Sequence, residues 1–346
     1  MIHKYFMVKK KALITGISGQ DGAYLADFLL RKNYIVVGGE RQNASGTLWR
    51  LKELGIENDI DIVPLELLEE NNVNNIVKKG KFTEIYNLAA QSFVGSSYES
   101  PIFTTNVNAL GVTRILEAIR SYSKETRFYQ ASTSEMYGNT LTKKQNELTN
   151  FKPTSPYAIS KLYAHWMVNL YREAYNLYAC SGILFNHESP FRGKEFVTKK
   201  IISDLAKVKL GLISSVKLGN LYSKRDWGYS KDYIQAMWKM LQLKKPDDFV
   251  ISSGATYTVK SFVNKAAKEF GFNLVWRGKG INEKAFDKKS NKLIVQISKK
   301  FFRPTEVNYL YGDSSKAKKI LKWKPKTDLN NLIKIMCEYE VSKLTK

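Results

Sequence analysis

Residues 8–33 read VKKKALITGISGQDGAYLADFLLRKN, and this stretch decides the fold. It opens with a short apolar run, typical of a buried strand, and closes with apolar residues at helical spacing. Between them Gly16, Gly19 and Gly22 predict a tight turn that runs directly into the helix. Free backbone N–H groups and the helix dipole at such a terminus suit a pyrophosphate. We therefore predict a dinucleotide-binding turn, the alternative being a glycine-rich turn without a ligand.

Strands alternate with helices after this turn. The strand-like segments are YIVVGG (34–39), DIDIVPL (59–65), EIYNLAA (84–90) and RFYQAST (127–133), with helical patterns between them. This alternation predicts an α/β protein built on a doubly wound parallel (Rossmann) sheet, whose ligand crevice lies at the carboxyl ends of the strands.

The end of the second strand carries Glu40 and Arg41. An acid at this point favours NAD through the ribose hydroxyls, whereas an arginine favours the 2′-phosphate of NADP. Since the sequence offers both side chains, the position leaves the choice of dinucleotide open.

The segment from Ala131 to Lys161 combines hydroxyls, a carboxylate, a phenol and an ammonium group. Tyr157 and Lys161 are four residues apart, so in a helix they share one face. The neighbouring cation is expected to lower the phenol's pKa, which would let Tyr157 take a proton from a sugar hydroxyl. An ordinary amphipathic helix also carries such pairs, and the glycine turn is what favours the functional interpretation.

Composition narrows the class of protein. The chain has 346 residues, 43% of them hydrophobic, which indicates a globular protein. No apolar run reaches the length of a membrane span, and the N-terminus lacks a signal peptide's apolar core, so we expect a cytoplasmic protein without a membrane partner. Cys180 and Cys337 have no partners at metal-site spacing, and the histidines are only His3, His165 and His187, so no metal site is expected.

The formal charge of +23 is spread over dispersed lysines rather than one block. A lysine-rich genome explains this pattern, and a basic cleft would also attract phosphorylated small molecules. We expect no nucleic-acid partner, and a nucleic-acid-binding module remains a minor alternative that salt-sensitive binding would reveal.

The half of the chain after residue 186 contains loops that combine arginine or lysine with aromatic residues or glycine turns: NHESPFRG, FVTKK, KRDWG and FFRPTEV. Guanidinium groups and aromatic rings together suit the phosphates and base of a nucleotide, although solvated surface loops would look the same. Residues 273–300 are expected to form an irregular, mobile connection. Two closing helices, split by Pro325, are predicted after a helix start at Asp313 or Ser314.

The chain combines the glycine turn with the segments ASTSEMYG, YAISK, NHESP, KRDWG and FRPTEV. In these segments the sequence resembles the GDP-mannose 4,6-dehydratases, which are extended short-chain dehydrogenases/reductases. The similarity covers nearly the whole chain. It implies a Rossmann domain over residues 8–185 with a returning segment near 219–254. It also implies a smaller C-terminal α/β domain for the GDP-sugar, formed by residues 186–218 and 255–346.

The resemblance implies a lyase that keeps its cofactor. Tyr157, with Lys161 beside it, would deprotonate the sugar 4-hydroxyl, and Thr133 would hold the same oxygen. Glu135 would remove the C5 proton, which a C4 ketone acidifies. Ser134 replaces the aspartic acid of dTDP-glucose dehydratases, so Glu135, or a water held by Ser134, would protonate the departing hydroxyl.

The resemblance also assigns binding residues. For the cofactor, NADP with NAD as an alternative, these are Gly16, Gly19, Gln20, Asp21, Gly22, Arg41, Glu66, Leu88, Ala89, Ala90, Tyr157, Lys161 and His187. For the substrate, GDP-mannose or a related GDP-sugar, they are Ser92, Glu135, Asn186, Arg192, Val197, Lys200, Arg225, Arg303 and Glu306. A plain core valine is an equal interpretation of Val197.

The chain departs from the family at several positions. The Arg-Arg-Ser expected after the second strand reads ERQNAS here, and the arginine pair falls on Gln42 and Asn43, which weakens both NADP and the tetramer. Glu66 replaces an aspartic acid, and Tyr222 could alter sugar preference. A homodimer or homotetramer is expected by analogy. The alternative activities are a GDP-manno-heptose 4,6-dehydratase and a nucleotide-sugar C4 epimerase or reductase.

Overall fold

A computed structural model describes residues 9–42, 48–302 and 304–345. Its strands are β1 (Lys11–Thr15), β2 (Ile35–Glu40), β3 (Asp61–Pro64), β4 (Glu84–Asn87), β5 (Arg127–Thr133), β6 (Ala179–Leu184), β7 (Asn186–Glu188), β8 (Val216–Leu218), β9 (Lys224–Arg225), β10 (Trp227–Tyr229), β11 (Phe249–Ile251), β12 (Tyr257–Thr258), β13 (Leu274–Arg277), β14 (Lys284–Asp287) and β15 (Leu293–Ile297).

The helices connect and cover these strands. They are α1 (Gln20–Arg31), α2 (Trp49–Leu54), α3 (Glu70–Gly80), α4 (Val94–Glu99), α5 (Pro101–Thr105), α6 (Gly111–Tyr122), α7 (Pro156–Tyr175), α8 (Val197–Lys209), α9 (Ser230–Met240), α10 (Val259–Glu269) and α11 (Leu329–Leu344). A π-helical turn, Asn106–Leu110, joins α5 to α6. None of the helices in the described ranges combines the length and apolar content needed to span a bilayer.

The central sheet has seven strands in the order β11-β6-β5-β4-β1-β2-β3, and every neighbouring pair is parallel. This confirms the doubly wound sheet predicted from the alternation of strands and helices. At its carboxyl edge Thr15 is level with Asn87, and Thr133 is level with Leu184. The glycine turn after β1 and the Thr133–Glu135 segment after β5 therefore open on the same edge of the sheet.

A smaller α/β unit contains the second sheet, ordered β13-β14-β15-β8. Helices α8, α10 and α11 pack on it around a separate apolar core that includes Ile201, Val216, Phe262, Val295 and Met336. Two short strand pairs, β7 with β10 and β9 with β12, lie between the units. The α/β fold class with a smaller C-terminal unit is thus confirmed.

The predicted division of the chain needs one correction. Helix α9 packs on α1, and β11 joins the large sheet, in agreement with the returning segment expected near 219–254. Ala317, Leu321 and Trp323 also belong to the core of the large sheet, although residues 255–346 were assigned to the second unit. The prediction missed the packing of Ala317, Leu321 and Trp323 on the large sheet, because these residues lie within a lysine-rich segment whose sequence does not indicate a packing partner.

The prediction of an irregular connection over residues 273–300 is wrong, because β13, β14 and β15 lie there. Strands β13 and β14 are short, carry charged residues and are partly exposed, so apolar alternation does not identify them. Strand β15 is an uncharged apolar run of five residues, which periodicity alone does not assign to a strand. The cross-strand partners supply the pairing. Near the C-terminus a π-helical turn, Ala317–Leu321, precedes α11, with Pro325 between the two helical segments, and Asp328 caps α11 by accepting a hydrogen bond from Asn331 N.

Candidate active site

Two cavities meet at the carboxyl edge of the large sheet. The larger, about 570 Å³, lies between the two units, and we call it the nucleotide cavity. The smaller, about 320 Å³, lies over the glycine turn, and we call it the dinucleotide cavity. Glu135, Asn186 and Phe196 line both. A ligand in one cavity can therefore touch a ligand in the other at this junction.

The glycine turn forms the floor of the dinucleotide cavity. Gly16 has a φ of +68°, and a Cβ on it would lie 2.9 Å from Ala89 Cα. A Cβ on Gly22 would lie 2.3 Å from Gly16 O, so the turn can close only with glycine. Because Gly19 gives α1 no side-chain cap, the first N–H groups of the helix remain available to an anion.

The main chain at the end of β4 forms the opposite wall. Thr15 Oγ1 accepts hydrogen bonds from the N–H groups of Leu88 and Ala89, at 3.1 and 3.0 Å, and donates to Asn87 Oδ1. Leu88, Ala89 and Ala90 all line the dinucleotide cavity, and the exposed Ser92 stands at its edge. The structure thus brings these four predicted residues to one place.

The predicted catalytic segment leaves the end of β5 and lies at the junction. Thr133, Ser134 and Glu135 are all buried. Thr133 Oγ1 accepts a hydrogen bond from Glu135 N at 3.2 Å, which fixes the turn that directs Glu135 to the junction. All three residues line the dinucleotide cavity, and Glu135 reaches the nucleotide cavity as well.

Tyr157 and Lys161 begin α7 and also line the dinucleotide cavity. Burial raises the pKa of Tyr157 to about 12, and the Thr133 side chain offsets only part of this rise. Burial lowers the pKa of Lys161 to about 8, and its Nζ donates to Ala131 O at 2.9 Å. The predicted lowering of the Tyr157 pKa is therefore not seen. Removal from water disfavours the phenolate, and the ammonium is held by a main-chain carbonyl.

A buried polar network ties the glycine turn to the chain after β6. His187 Nε2 lies 2.6 Å from Asp21 Oδ2, and Ser230 Oγ donates to Asp21 Oδ1. Gln20 Nε2 donates to His187 O at 3.1 Å. Burial alone would raise the pKa of Asp21, but the His187 charge and these hydrogen bonds lower it to about 2. Burial opposes the charged form of His187, yet Asp21 outweighs this effect and raises the pKa of His187.

Arg192 lies elsewhere than predicted. It was assigned to the GDP, but it lines the dinucleotide cavity and not the nucleotide cavity. Its guanidinium stacks 3.5 Å from the Phe196 ring centroid, and its Nε lies 3.1 Å from Glu188 Oε2. That N–H is not aimed well enough to form a hydrogen bond, so we treat the contact as an ion pair only. The turn after β7 sets this direction, which the NHESPFRG motif alone does not reveal.

The nucleotide cavity collects most of the remaining predicted substrate residues. Val197 and Lys200 line it from the start of α8, and Arg225 and Glu306 line it from the opposite side. Arg225 Nη2 donates to Glu306 Oε1 at 2.8 Å, and Lys200 Nζ lies 2.6 Å from Asp204 Oδ2. Val197 is 37% exposed, which contradicts the alternative of a plain core valine.

Two of the predicted residues that the structure describes, Arg41 and Glu66, line neither cavity. Arg41 is exposed, while Glu40 Oε2 lies 3.4 Å from Ser18 N of the glycine turn. Glu66 Oε1 accepts a hydrogen bond from Leu68 N at 3.1 Å, within its own loop. Arg303 lies outside the described residues, as does Asn43. Tyr222 lines a neighbouring cavity, where its hydroxyl donates to Glu283, rather than the nucleotide cavity.

The sequence interpretation missed several residues of the site. Phe196 lines both cavities, and Glu188 is a buried carboxylate in the nucleotide cavity. Arg50 donates to the carbonyls of Ser18 and Phe191, at 2.9 Å each, and so joins the glycine turn to the loop that precedes Arg192. The acid within NHESP was a usable signal for Glu188. Arg50 had none, because its partners are main-chain atoms far away in sequence.

No three His, Cys, Asp or Glu side chains within the described ranges are grouped so that they could hold a metal ion. The polar groups of the site are instead hydroxyls, carboxylates that include Glu135 at the junction, and cations on both sides of it. Such a set can move protons and bind phosphates.

A parallel Rossmann-type sheet with a Tyr-x-x-x-Lys pair beside a glycine turn defines a class of α/β enzymes, and solved structures of this class share the fold. A UDP-glucose 4-epimerase from Thermotoga maritima, with UDP-glucose, superposes with a TM-score of 0.81 at 22% identity, covering 96% of this chain and 99% of that one. A dTDP-glucose 4,6-dehydratase from Bacillus anthracis, in complex with NAD, gives a TM-score of 0.78 at 20% identity, covering 95% and 96%.

Sequence comparison then identifies the family. The model of the GDP-mannose 4,6 dehydratase family matches residues 13–336. A GDP-mannose 4,6-dehydratase from Vibrio cholerae is 46% identical, covering 94% of this chain and 92% of that protein, and one from Homo sapiens is 46% identical, covering 95% and 91%. The chain belongs to the GDP-mannose 4,6-dehydratase family, an enzyme family of the lyase class.

Proposed function

We propose that this chain converts GDP-mannose to GDP-4-keto-6-deoxymannose by oxidation at C4, loss of water across C5 and C6, and return of hydride to C6. The observation that carries the proposal is Glu135, a buried carboxylate at the junction of the two cavities. Elimination needs a base at C5, whereas reversible oxidation at C4 does not. The relatives named GDP-mannose 4,6-dehydratase support the same substrate.

The dinucleotide cavity suits a nicotinamide dinucleotide. Gly16 and Gly22 keep the floor free of side chains, and α1 offers uncapped N–H groups. The buried Ser132 Oγ lines the cavity and has no hydrogen-bond partner among the described residues. When bound, this cofactor supplies a hydride acceptor and, later, a hydride donor. His187 and Arg192 then lie on the side of the cavity opposite α7, where cations can balance phosphate charge.

The form of the dinucleotide has two candidates. Arg41, at the end of β2, supports NADP, because a guanidinium there can reach a 2′-phosphate. Glu40 supports NAD, because its carboxylate faces the glycine turn, where a ribose 2′-hydroxyl would donate to it. Mass spectrometry of the dinucleotide released from the purified protein distinguishes them, since NADP is heavier by one phosphate group.

In the oxidation step Tyr157 acts as the base for the 4-hydroxyl. Because burial keeps its phenol neutral at pH 7, the phenolate needs added positive charge in the cavity. Thr133 stabilises that phenolate and holds the same sugar oxygen. Lys161 lies one helical turn further on and anchors the start of α7 to Ala131 O. Together these contacts orient the C4–H bond toward the dinucleotide cavity.

In the elimination step Glu135 removes the C5 proton, which the new C4 ketone acidifies. The C5–H electrons form the C5=C6 double bond, and the C6 hydroxyl leaves as water with a proton from Glu135 or from a water held by Ser134. Hydride added at C6 and a proton returned to C5 convert the C5=C6 double bond to a single bond and leave C6 as a methyl group beside the C4 ketone. The position of Glu135 at the junction lets one carboxylate serve these transfers.

The nucleotide cavity would hold the GDP. Arg225 is almost fully buried and paired with Glu306, so its guanidinium is fixed in direction and suits a phosphate or the base. Glu306 would accept hydrogen bonds from ribose hydroxyls, and Lys200 would approach the diphosphate from α8. Arg303 remains a proposed contact of the same group on the basis of the family resemblance alone.

The purified protein, incubated with GDP-mannose, tests this function. We expect a sugar nucleotide lighter by one water, which mass spectrometry detects directly. Glu135→Gln should abolish water loss, whereas Glu173→Gln, at an exposed position of α7, should not. Unchanged mass with an altered sugar would indicate a C4 epimerase, and normal water loss by Glu135→Gln would exclude this base.

We further propose a homodimer formed through α7. Ile159, Tyr163, Trp166 and Leu170 follow one another at spacings of four, three and four residues and are all exposed, so they form an apolar stripe along the helix. A second copy can cover this stripe through a two-fold contact. Light scattering should give twice the monomer mass, and Trp166→Glu should reduce it to the monomer. A tetramer would need a further surface.

A cytoplasmic location is also proposed. Cys180 and Cys337 are free and buried, on separate elements, so the fold does not depend on a disulfide. That suits a reducing compartment. Fluorescence microscopy of a tagged chain, or cell fractionation, would test it, and recovery in a membrane or secreted fraction would contradict it.

A further inference from the structure

Glu188 is a buried carboxylate that the proposed reaction does not use. It lies at the end of β7, two residues after Asn186, so both side chains leave the same face of the strand. Asn186 lines both cavities, whereas Glu188 lines only the nucleotide cavity. Glu188 therefore lies on the nucleotide side of the junction, beyond Asn186 and away from Tyr157.

The two oxygens of Glu188 have different surroundings. Oε2 accepts a hydrogen bond from Thr198 Oγ1 at 2.5 Å and faces Arg192 Nε at 3.1 Å. Oε1 has no hydrogen-bond donor among the described residues. Glu188 is only 2% exposed, but Oε1 is not among the fully buried atoms that lack a partner, so it faces the open space of the nucleotide cavity. A ligand in this cavity that takes the place of water at Oε1 must supply a donor, because a carboxylate oxygen left without one on ligand binding is costly.

The chemistry of the ligand limits which donor this is. Phosphate oxygens carry no protons at neutral pH and would repel the carboxylate, so the donor is a hydroxyl or a base N–H of the ligand. Glu188 lies two residues after Asn186, which lines the junction, and this places Glu188 nearer to the reacting sugar than to the far end of the nucleotide cavity. With C4 at Tyr157 and C5 at Glu135, the ring corner opposite C5 is C2, which would face the nucleotide side of the junction. Because Thr198 holds Oε2 through a hydrogen bond, the direction in which Oε1 points is fixed.

We propose that Glu188 accepts a hydrogen bond from the C2 hydroxyl of the sugar and thereby selects substrates that carry it. The inference rests on the proposed function, because the position of the ring follows from the roles of Tyr157 and Glu135. It adds a specificity-determining residue outside the catalytic group.

The test compares kcat/KM for GDP-mannose and GDP-2-deoxymannose, which differ only in the C2 hydroxyl. Since a hydrogen bond to a charged group is strong, wild-type protein should prefer GDP-mannose by about 10- to 100-fold. Glu188→Met removes the acceptor at similar volume, so the preference should fall to nearly one. Glu188→Gln keeps a neutral acceptor and should give an intermediate ratio.

Thr198→Val is the matched control. It removes the hydrogen bond to Oε2 and leaves Oε1 in place, so it should lower stability while keeping most of the preference for the hydroxyl. Because the readout is a ratio of two substrates, a general loss of folded protein cancels. An unchanged ratio in Glu188→Met, or a wild-type protein that turns over both substrates equally, would overturn the inference while the dehydratase function stands. Failure to turn over GDP-mannose at all would instead reject the proposed function, and the inference with it.

Discussion

His187 and Asp21 form an ion pair with Nε2 2.6 Å from Oδ2, although 166 residues separate them in the chain. Asp21 lies in the first turn of α1, directly after the glycine turn, and His187 lies in β7. The His187 ring stacks on Tyr233 of α9, at 4.8 Å between centroids, and its Nδ1 lies 2.8 Å from Phe185 O. The pair therefore fixes the glycine turn to the wall that the second half of the chain contributes.

This pair should make stability depend on pH in a bell-shaped manner. Asp21 has a pKa lowered from 3.8 to about 2, so its contribution is present above pH 3.8 and is lost as the pH falls toward 2. His187 has a pKa raised from 6.5, so its contribution is present below pH 6.5 and is lost as the pH rises through the raised value. Thermal melting across this range should show greatest stability between about pH 4 and 6.5.

Two variants separate this pair from other titrating groups. Asp21→Asn should flatten the loss of stability on the alkaline side, because neutral asparagine no longer favours protonated His187. Asp27→Asn removes a carboxylate from the same helix that pairs with the exposed Arg31, and it should leave the profile unchanged. A profile for Asp21→Asn that matches wild type would show that the pair does not control the pH dependence.

Tyr157→Phe should lower kcat by about 10²- to 10⁴-fold, the usual contribution of a general base. The ring stays in place, so affinity for the GDP-sugar should change little. Tyr163→Phe, further along α7 where the hydroxyl contacts Thr113, is the control and should keep wild-type turnover. Steady-state kinetics with GDP-mannose measures both. Equal losses in the two variants would mean that the effect comes from α7 packing.

Gly22→Ala should weaken dinucleotide binding more than Gly19→Ala. A Cβ at residue 22 would lie 2.3 Å from the Gly16 carbonyl oxygen, which is main chain and cannot rotate away, whereas a Cβ at residue 19 would lie 3.1 Å from the same oxygen. The turn must therefore shift in the first variant and relax slightly in the second. Dissociation constants for NADP and NAD, from calorimetry, would show the order, and the reverse order would contradict it.

The buried ion pair between Lys199 and Glu340 joins α8 to α11 at 2.6 Å. Lys199→Met should destabilise the fold by about 3–5 kcal/mol, because it leaves Glu340 as an unpaired buried charge. Adding Glu340→Leu should recover most of that loss. The exposed pair Lys334 and Glu338 serves as the control, and Lys334→Met should change stability by less than about 1 kcal/mol. Urea unfolding measures all of these, and an additive double variant would show that the charges do not interact.

Local sequence patterns predicted much of the site. The glycine turn, the Thr133–Glu135 segment and the Tyr157–Lys161 pair each follow an element whose periodicity is visible in the chain. Because strands in a parallel sheet place their carboxyl ends along one edge, predicting the strands also predicted that these groups would meet. The loop motifs FVTKK and KRDWG pointed to Lys200 and Arg225 but did not distinguish them from solvated surface residues, and the family resemblance assigned them to the substrate.

Other features depend on distant contacts. The return of Trp323 to the large sheet is set by partners far away in the chain. The cavity that Arg192 lines and the hydrogen bond from Thr198 to Glu188 depend on how the chain turns between β7 and α8. Strands β13 to β15 were missed because such short strands are stabilised by their cross-strand neighbours rather than by apolar alternation.

The sequence by itself determined the alternation of strands and helices up to β5, the glycine turn and the identity of the reactive side chains, because each depends on residues adjacent in the chain. Only the tertiary structure decided that Glu135 stands where two cavities meet. It also decided that Tyr157 has a raised pKa rather than a lowered one. The physical reason is that burial and the direction of a neighbouring charge depend on how the whole chain packs, and they outweigh the four-residue spacing of a tyrosine and a lysine.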